Sequence, residues 1–234
     1  MRTRMLNRSA PILSRIKPHP FNYQLNAGFL SRETFAFYVG QDKLYLHDLA
    51  EAFRRTADRF SNERYKQQFI GFAKYIETVE LKILEEYVGS SHAYSFFEPS
   101  NSTIKIPVIA NYTEHLLNSA EKAPIEVAVA SFLPCFLIFR ELGKLMASSG
   151  RDLNHPYQKW IASYSGVRFS SATESIIATA QELHATISCP RQQEEVILSF
   201  LKSAEFELEF LNAAFYRHRV YKPAESGMCA IHSL

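Results

Sequence analysis

The chain has 234 residues, with 26 Lys and Arg against 24 Asp and Glu, a formal charge of +2. So close a balance gives no electrostatic argument for nucleic acid or a polybasic membrane contact as a partner. Apolar types at 47%, with only 8 Gly and 10 Pro, exclude a disordered or fibrous chain, and the length suits one full core. The three cysteines, Cys135, Cys189 and Cys229, are odd in number and contain no CxxC pair, which argues against a disulfide framework and a thiolate zinc site. The basic N-terminus lacks a continuous apolar core, so no signal peptide is read. The longest apolar run, Val127 to Ile138, is too short to span a membrane and contains Pro134. A cytoplasmic setting is expected.

Periodicity predicts helices almost from end to end. Residues 1–18 read as a polar leader. A short helix over 20–27 stops at Gly28, and Ser31 caps a second running to about residue 59. A third covers about 62–88. Residues 90–103 form the longest irregular stretch, with Phe96 and Phe97 expected to pin it. Further helices follow over 107–119, 124–148 (closing at Gly150), 155–163, 170–187 and 191–217. Alternation of β-branched residues is absent apart from a short run over 103–109. The expectation is a single all-α domain over 19–220, a multi-helix bundle, with a loose tail at 221–234.

Polar residues interrupt two of the apolar stripes. On the last helix, with Phe200 as zero, Val196, Ala204, Leu211 and Ala214 fall within about 40° at 100° per residue. Glu207 falls about 20° from Phe200, inside that stripe, whereas Glu194, Glu195, Lys202, Glu205 and Glu209 face away. A buried carboxylate needs a partner or a raised pKa. Both a structural hydrogen bond and a functional acid satisfy this pattern. On the second helix Tyr38, Asp42, Tyr45 and Leu49 share a face, while Lys43, His47 and Arg54 point away. Two inward carboxylates on different helices suggest a shared cavity.

The stretch around Cys135, VAVASFLPCFLIF, is apolar nearly all round and should form a central helix bent at Pro134. Cys135 there is either an inert small hydrophobe or a nucleophile. His19 precedes Pro20 and reads as a helix start; His47 points to solvent. His115, His155 and His184 lack companions at metal-ligand spacing, and no GxGxxG, P-loop or HExxH is present. No metal and no cofactor are expected.

Ordered landmarks then become recognisable: His19-Pro20-Phe21, FYVGQDKLYL around Asp42, Tyr112 in YTEHL, LPCFLIFRELG around Cys135, HPYQKWIASYSG ending near Tyr164, and ELEFLNAAFY from Glu207. The LPC-x-x-x-x-x-E-x-G element followed by YQKWI-x-x-Y is the most specific. From residue 19 to about 216 the chain resembles the TenA family, the class II thiaminases or aminopyrimidine aminohydrolases, with a haem-oxygenase-like helical fold. The resemblance implies Cys135 as nucleophile, Glu207 as acid and base, and Asp42 as the residue holding an aminopyrimidine. It implies Tyr45, Tyr112 and Tyr164 as pocket-lining residues and Phe210 as a wall. It also implies a small-molecule aminopyrimidine substrate and a homotetramer.

The sequence departs from the family pattern at several places. Leu44 replaces a tyrosine, Phe136 and Phe139 replace residues of a tyrosine-rich LPCYWLY, and the E-x-x-x-H of the third helix reads Glu80 to Leu84 without its histidine. These changes are expected to make the wall more apolar. The activity implied is hydrolytic substitution at the exocyclic methylene of a 4-amino-2-methylpyrimidine by cysteine covalent catalysis. The competing readings are a non-catalytic aminopyrimidine- or thiamin-binding protein and a metal-dependent oxygenase-like relative.

Overall fold

A computed structural model describes residues 2–89, 103–149 and 154–220. The helices are α1 (Arg2–Ile16), α2 (Pro20–Asn26), α3 (Arg32–Asp58), α4 (Glu63–Tyr75), α5 (Leu81–Gly89), α6 (Pro107–Lys122), α7 (Ile125–Ala147), α8 (Gln158–Ser165), α9 (Val167–Ala185) and α10 (Pro190–Val220). A π-helical turn, Ile76–Glu80, joins α4 to α5. No strand occurs among the described residues, so the fold is the all-α bundle expected from periodicity. The irregular stretch carrying Phe96 and Phe97, the stop at Gly150 and the tail from residue 221 lie outside the described residues.

Local chemistry sets the helix starts. The Ser31 hydroxyl accepts from the Thr34 amide at 3.1 Å, and Asn62 accepts from the Arg64 amide at 2.9 Å, each satisfying a donor that the first turn leaves free. His19 caps α2 by accepting from the Phe21 amide at 3.2 Å through Nδ1, with Pro20 in the first turn. That is the helix-start role read from the sequence.

The N-terminal expectation needs correction. Residues 2–16 are not a polar leader but helix α1, which lies against α10 and buries Met5, Ser9 and Ile16. Its apolar stripe is about one residue per turn and is interrupted by Pro11, too thin to stand out in the sequence; contact with α10 supplies the missing stabilisation.

Helix α7 is central, as its all-round apolarity requires. It packs against α10, α8, α9, α6 and α3, and every residue from Val127 to Pro134 is buried. Beside it, Phe53, Phe69, Phe72, Phe132 and Phe136 form an aromatic core, with Phe53 and Phe132 rings 4.6 Å apart. Each such ring contributes about 1.5–3 kcal/mol through area removed from water. Gly143 lets α7 meet α8: a Cβ there would lie 2.6 Å from the Tyr164 carbonyl carbon. Buried Gln41 ties α3 to the segment before α6, donating to the Ile104 carbonyl at 3.1 Å and accepting from the Ile106 amide at 2.9 Å. These two contacts fix where Tyr164 and Tyr112 stand.

Candidate active site

Helix α3 carries Tyr38, Asp42 and Tyr45 on one face, at the i, i+4 and i+7 spacing that aligns side chains on a helix. All three are buried, Asp42 with 4% exposure. Its Oδ2 has no hydrogen-bond partner among the described residues, and burial pushes its carboxyl up to about 7. Helix α10 presents Glu207, also 4% exposed, and Tyr112 of α6 donates to its Oε1 at 2.8 Å. Burial, with a smaller push from Asp42, raises Glu207 to about 8; the Tyr112 bond works the other way. Glu207 thus has a hydrogen-bond partner, as a structural carboxyl would, together with a raised proton affinity.

Cys135 of α7 lies among these groups. It keeps part of its surface accessible although protein surrounds it deeply. Burial pushes the thiol well above its ordinary value, and the neighbouring carboxylates Glu207, Glu80 and Asp42 add to this. Tyr45 is the counterweight: its hydroxyl lies beside the thiol and beside the Tyr112 hydroxyl, without good hydrogen-bond geometry to either. The Tyr45 and Tyr112 rings are 4.9 Å apart. A row of protic groups thus runs from Cys135 through Tyr45 and Tyr112 to Glu207.

The remaining expected residues form an aromatic wall. Phe210 stacks on Tyr38 with centroids 4.8 Å apart and 18° between planes. Tyr164 packs edge-on against Trp160 at 4.8 Å and touches Phe139 at 4.9 Å. Phe139 therefore does make the wall more apolar. Phe136 does not belong to it, because it packs among Phe53, Phe72 and Phe169 in the aromatic core. Four polar atoms around the wall and α3 are buried without partners among the described residues: Tyr38 Oη, Asp42 Oδ2, Tyr45 Oη and Trp160 Nε1. Buried polar groups are ordinarily hydrogen-bonded, so such a concentration suits a pocket that receives a polar ring.

One member was missed by the stripe analysis. Glu80 is buried at 8% exposure, closes the π-helical turn, and is pushed up to about 8, first by burial and then by Asp42. The signal was present: on a straight helix Glu80 falls about 20° from Phe69, inside the apolar stripe, as Glu207 does on its own helix. Single π turns of this kind recur at functional sites.

The all-α bundle brings a thiol, three carboxyl groups and four phenols together in one buried cluster. The TENA/THI-4/PQQC family profile matches residues 7–218, and the chain belongs to that family. It is 27% identical to an aminopyrimidine aminohydrolase of Bacillus subtilis, covering 84% of this chain and 82% of that one. Toward the enzyme of that name from Halalkalibacterium halodurans identity is 24%, covering 90% and 93%. A thiamine biosynthesis multifunctional protein of Corynebacterium efficiens is 28% identical over 87% of this chain, which spans about a quarter (26%) of that protein's length. Among solved structures, a TenA homologue from P. horikoshii superposes with a TM-score of 0.78 at 22% identity, over 91% of this chain and 97% of that one. A domain with a haem oxygenase-like fold from Shewanella denitrificans superposes at 0.70 with 13% identity, over 100% and 99%. These likenesses establish the fold. No helix among the described residues is long and apolar enough to cross a membrane.

Proposed function

We propose that the protein is a hydrolase that replaces the exocyclic amine or thiazolium of a 4-amino-2-methylpyrimidine with hydroxyl, in thiamin salvage or degradation. The observation that carries this reading is the convergence of Asp42, Cys135 and Glu207, from three helices, on one buried cluster walled by aromatic rings. The relatives named as aminopyrimidine aminohydrolases support it.

The roles follow from the chemistry of each group. Asp42, with an unpartnered oxygen, accepts from the substrate's amino group and fixes its register. Tyr45, Tyr164 and Phe210 wall the flat ring. Glu207 is largely protonated near neutral pH, so it can protonate a ring nitrogen and make the ring electrophilic. The carboxylate left behind then takes the thiol proton along Tyr45 and Tyr112. This matters because the isolated Cys135 thiol is held well above its ordinary pKa and forms little thiolate by itself. Sulfur adds to the ring carbon, the substituent leaves, water adds to the methylene, and loss of sulfur restores aromaticity. A homotetramer, implied by the family resemblance, and a cytoplasmic setting, read from the cysteine usage and the absence of a continuous apolar run, complete the proposal.

The test is a mass-spectrometric turnover screen with aminomethylpyrimidine, its formylated form and thiamin. The hydroxymethylpyrimidine is the expected product from at least one of them. Tight binding of these compounds with no product over long incubation would make the protein a binder rather than a hydrolase.

A further inference from the structure

The mechanism above leaves one buried carboxyl unused. Glu80 makes no hydrogen bond or ion pair among the described residues. The π turn that ends at Glu80 packs on α3, the helix of Tyr38 and Asp42, and α5 immediately after it packs on α8, the helix of Tyr164. Asp42's charge acts on Glu80, and the charge of Glu80 acts on Tyr164, Tyr38 and Cys135. Glu207 is raised by Asp42 and not by Glu80. The cluster therefore has two ends, with Tyr45, Tyr112 and Glu207 at one, Asp42, Glu80 and Tyr164 at the other, and Cys135 between.

The substrate ring maps onto this polarity. In a 4-amino-2-methylpyrimidine with a substituted methylene, the carbon bearing that methylene sits between the carbon bearing the amino group and the carbon open to a thiol. The ring nitrogen beside the attacked carbon lies on the far side. With the amino group on Asp42, sulfur on the attacked carbon and that nitrogen on Glu207, the methylene substituent projects between Asp42 and Cys135, away from Glu207. Glu80, on the turn that packs against the helix of Asp42, is the carboxyl left at that end of the cluster.

Resting on the hydrolytic reading, we infer that Glu80 is a second general acid, dedicated to the leaving group when that group is an amine. As the C–N bond breaks, its electron pair stays on nitrogen, and the Glu80 carboxyl gives its proton to that nitrogen. Water then adds to the methylene and its surplus proton returns to Glu80, so each turnover leaves the residue as it began. An amine arriving as ammonium, with Glu80 as carboxylate, has the same proton count. A thiazolium leaves as a neutral thiazole by taking the electron pair alone, so it needs no proton. The raised proton affinity of Glu80 suits a group that must hold a proton at neutral pH.

The test compares E80Q with wild type on aminomethylpyrimidine and on thiamin, with thermal unfolding to check that the variant folds. The expected loss is about 100-fold in kcat on the amine, in the range general acids supply, and at least about tenfold smaller on thiamin. A purely structural role would lower both rates together, so equal losses, or no loss on the amine, overturn the inference while leaving the hydrolytic reading standing. If wild type acts on the amine alone, E80A with added formate decides: restored amine turnover supports the assignment, and no recovery overturns it. Wild-type turnover of thiamin alone overturns it as well. Turnover of neither compound overturns the hydrolytic reading and this one together.

Discussion

Glu207→Gln separates the electrostatics of the cluster from its shape. The amide keeps the volume and an oxygen for the Tyr112 hydroxyl, which donates at 2.8 Å, but it cannot ionise. In the folded wild type the carboxyl is raised from its ordinary 4.5 to about 8. The folded state therefore holds this proton more tightly than the unfolded chain, and stability must fall as pH rises from about 4.5 toward 8. Each pKa unit is about 1.36 kcal/mol, so between about pH 5 and pH 7.5 this one group removes roughly 3 kcal/mol. For a chain of this size that corresponds to roughly 6–12 °C in Tm. Asp42 and Glu80 impose slopes of the same sign on wild type and variant alike, so the comparison isolates Glu207. Urea unfolding at fixed protein concentration across this pH range measures it. The variant should lose about 3 kcal/mol less than wild type over the interval. Parallel stability curves, within about 0.5 kcal/mol, would refute the claim that Glu207 is a desolvated acid in the folded protein.

Cys135→Ser changes little volume, so Tm should hold while turnover falls by more than about 100-fold; near-normal hydrolysis would make the thiol a packing residue. Asp42→Asn should raise KM by about tenfold or more with a smaller effect on kcat, because it weakens register more than chemistry, and an unchanged KM would remove Asp42 from substrate binding. Gly143→Ala should cost about 1–3 kcal/mol and lower turnover by displacing Tyr164, since the new Cβ would meet the Tyr164 carbonyl carbon at 2.6 Å and the Ser165 nitrogen at 2.8 Å. Unchanged Tm and turnover would contradict the close approach of α7 and α8.

The helical order and most of the cluster were legible because both obey the helix period. Asp42, Tyr45 and Glu207 declared themselves as polar residues inside apolar stripes, and the all-round apolarity near Cys135 announced a central helix. Glu80 obeys the same phase. What the phase does not reveal is the π turn that Glu80 closes, because nothing in IETVE distinguishes a five-residue turn from an α-helical one. Helix α1 was missed for a different reason. Its stability comes from contact with α10, about 190 residues away in sequence, where Arg4 also pairs with Glu194 at 2.9 Å.

Which side chains face inward follows from residue order, since that depends only on the angle between successive residues. Tertiary structure alone decided which inward faces meet. Phe136 and Phe139 differ by three positions on one helix, yet the first joins the Phe53 core and the second touches Tyr164. Proton affinity was decided at the same level. Asp42, Glu80 and Glu207 are ordinary carboxyl groups in the chain, and they hold protons near neutrality only because three packed helices take water away from them together.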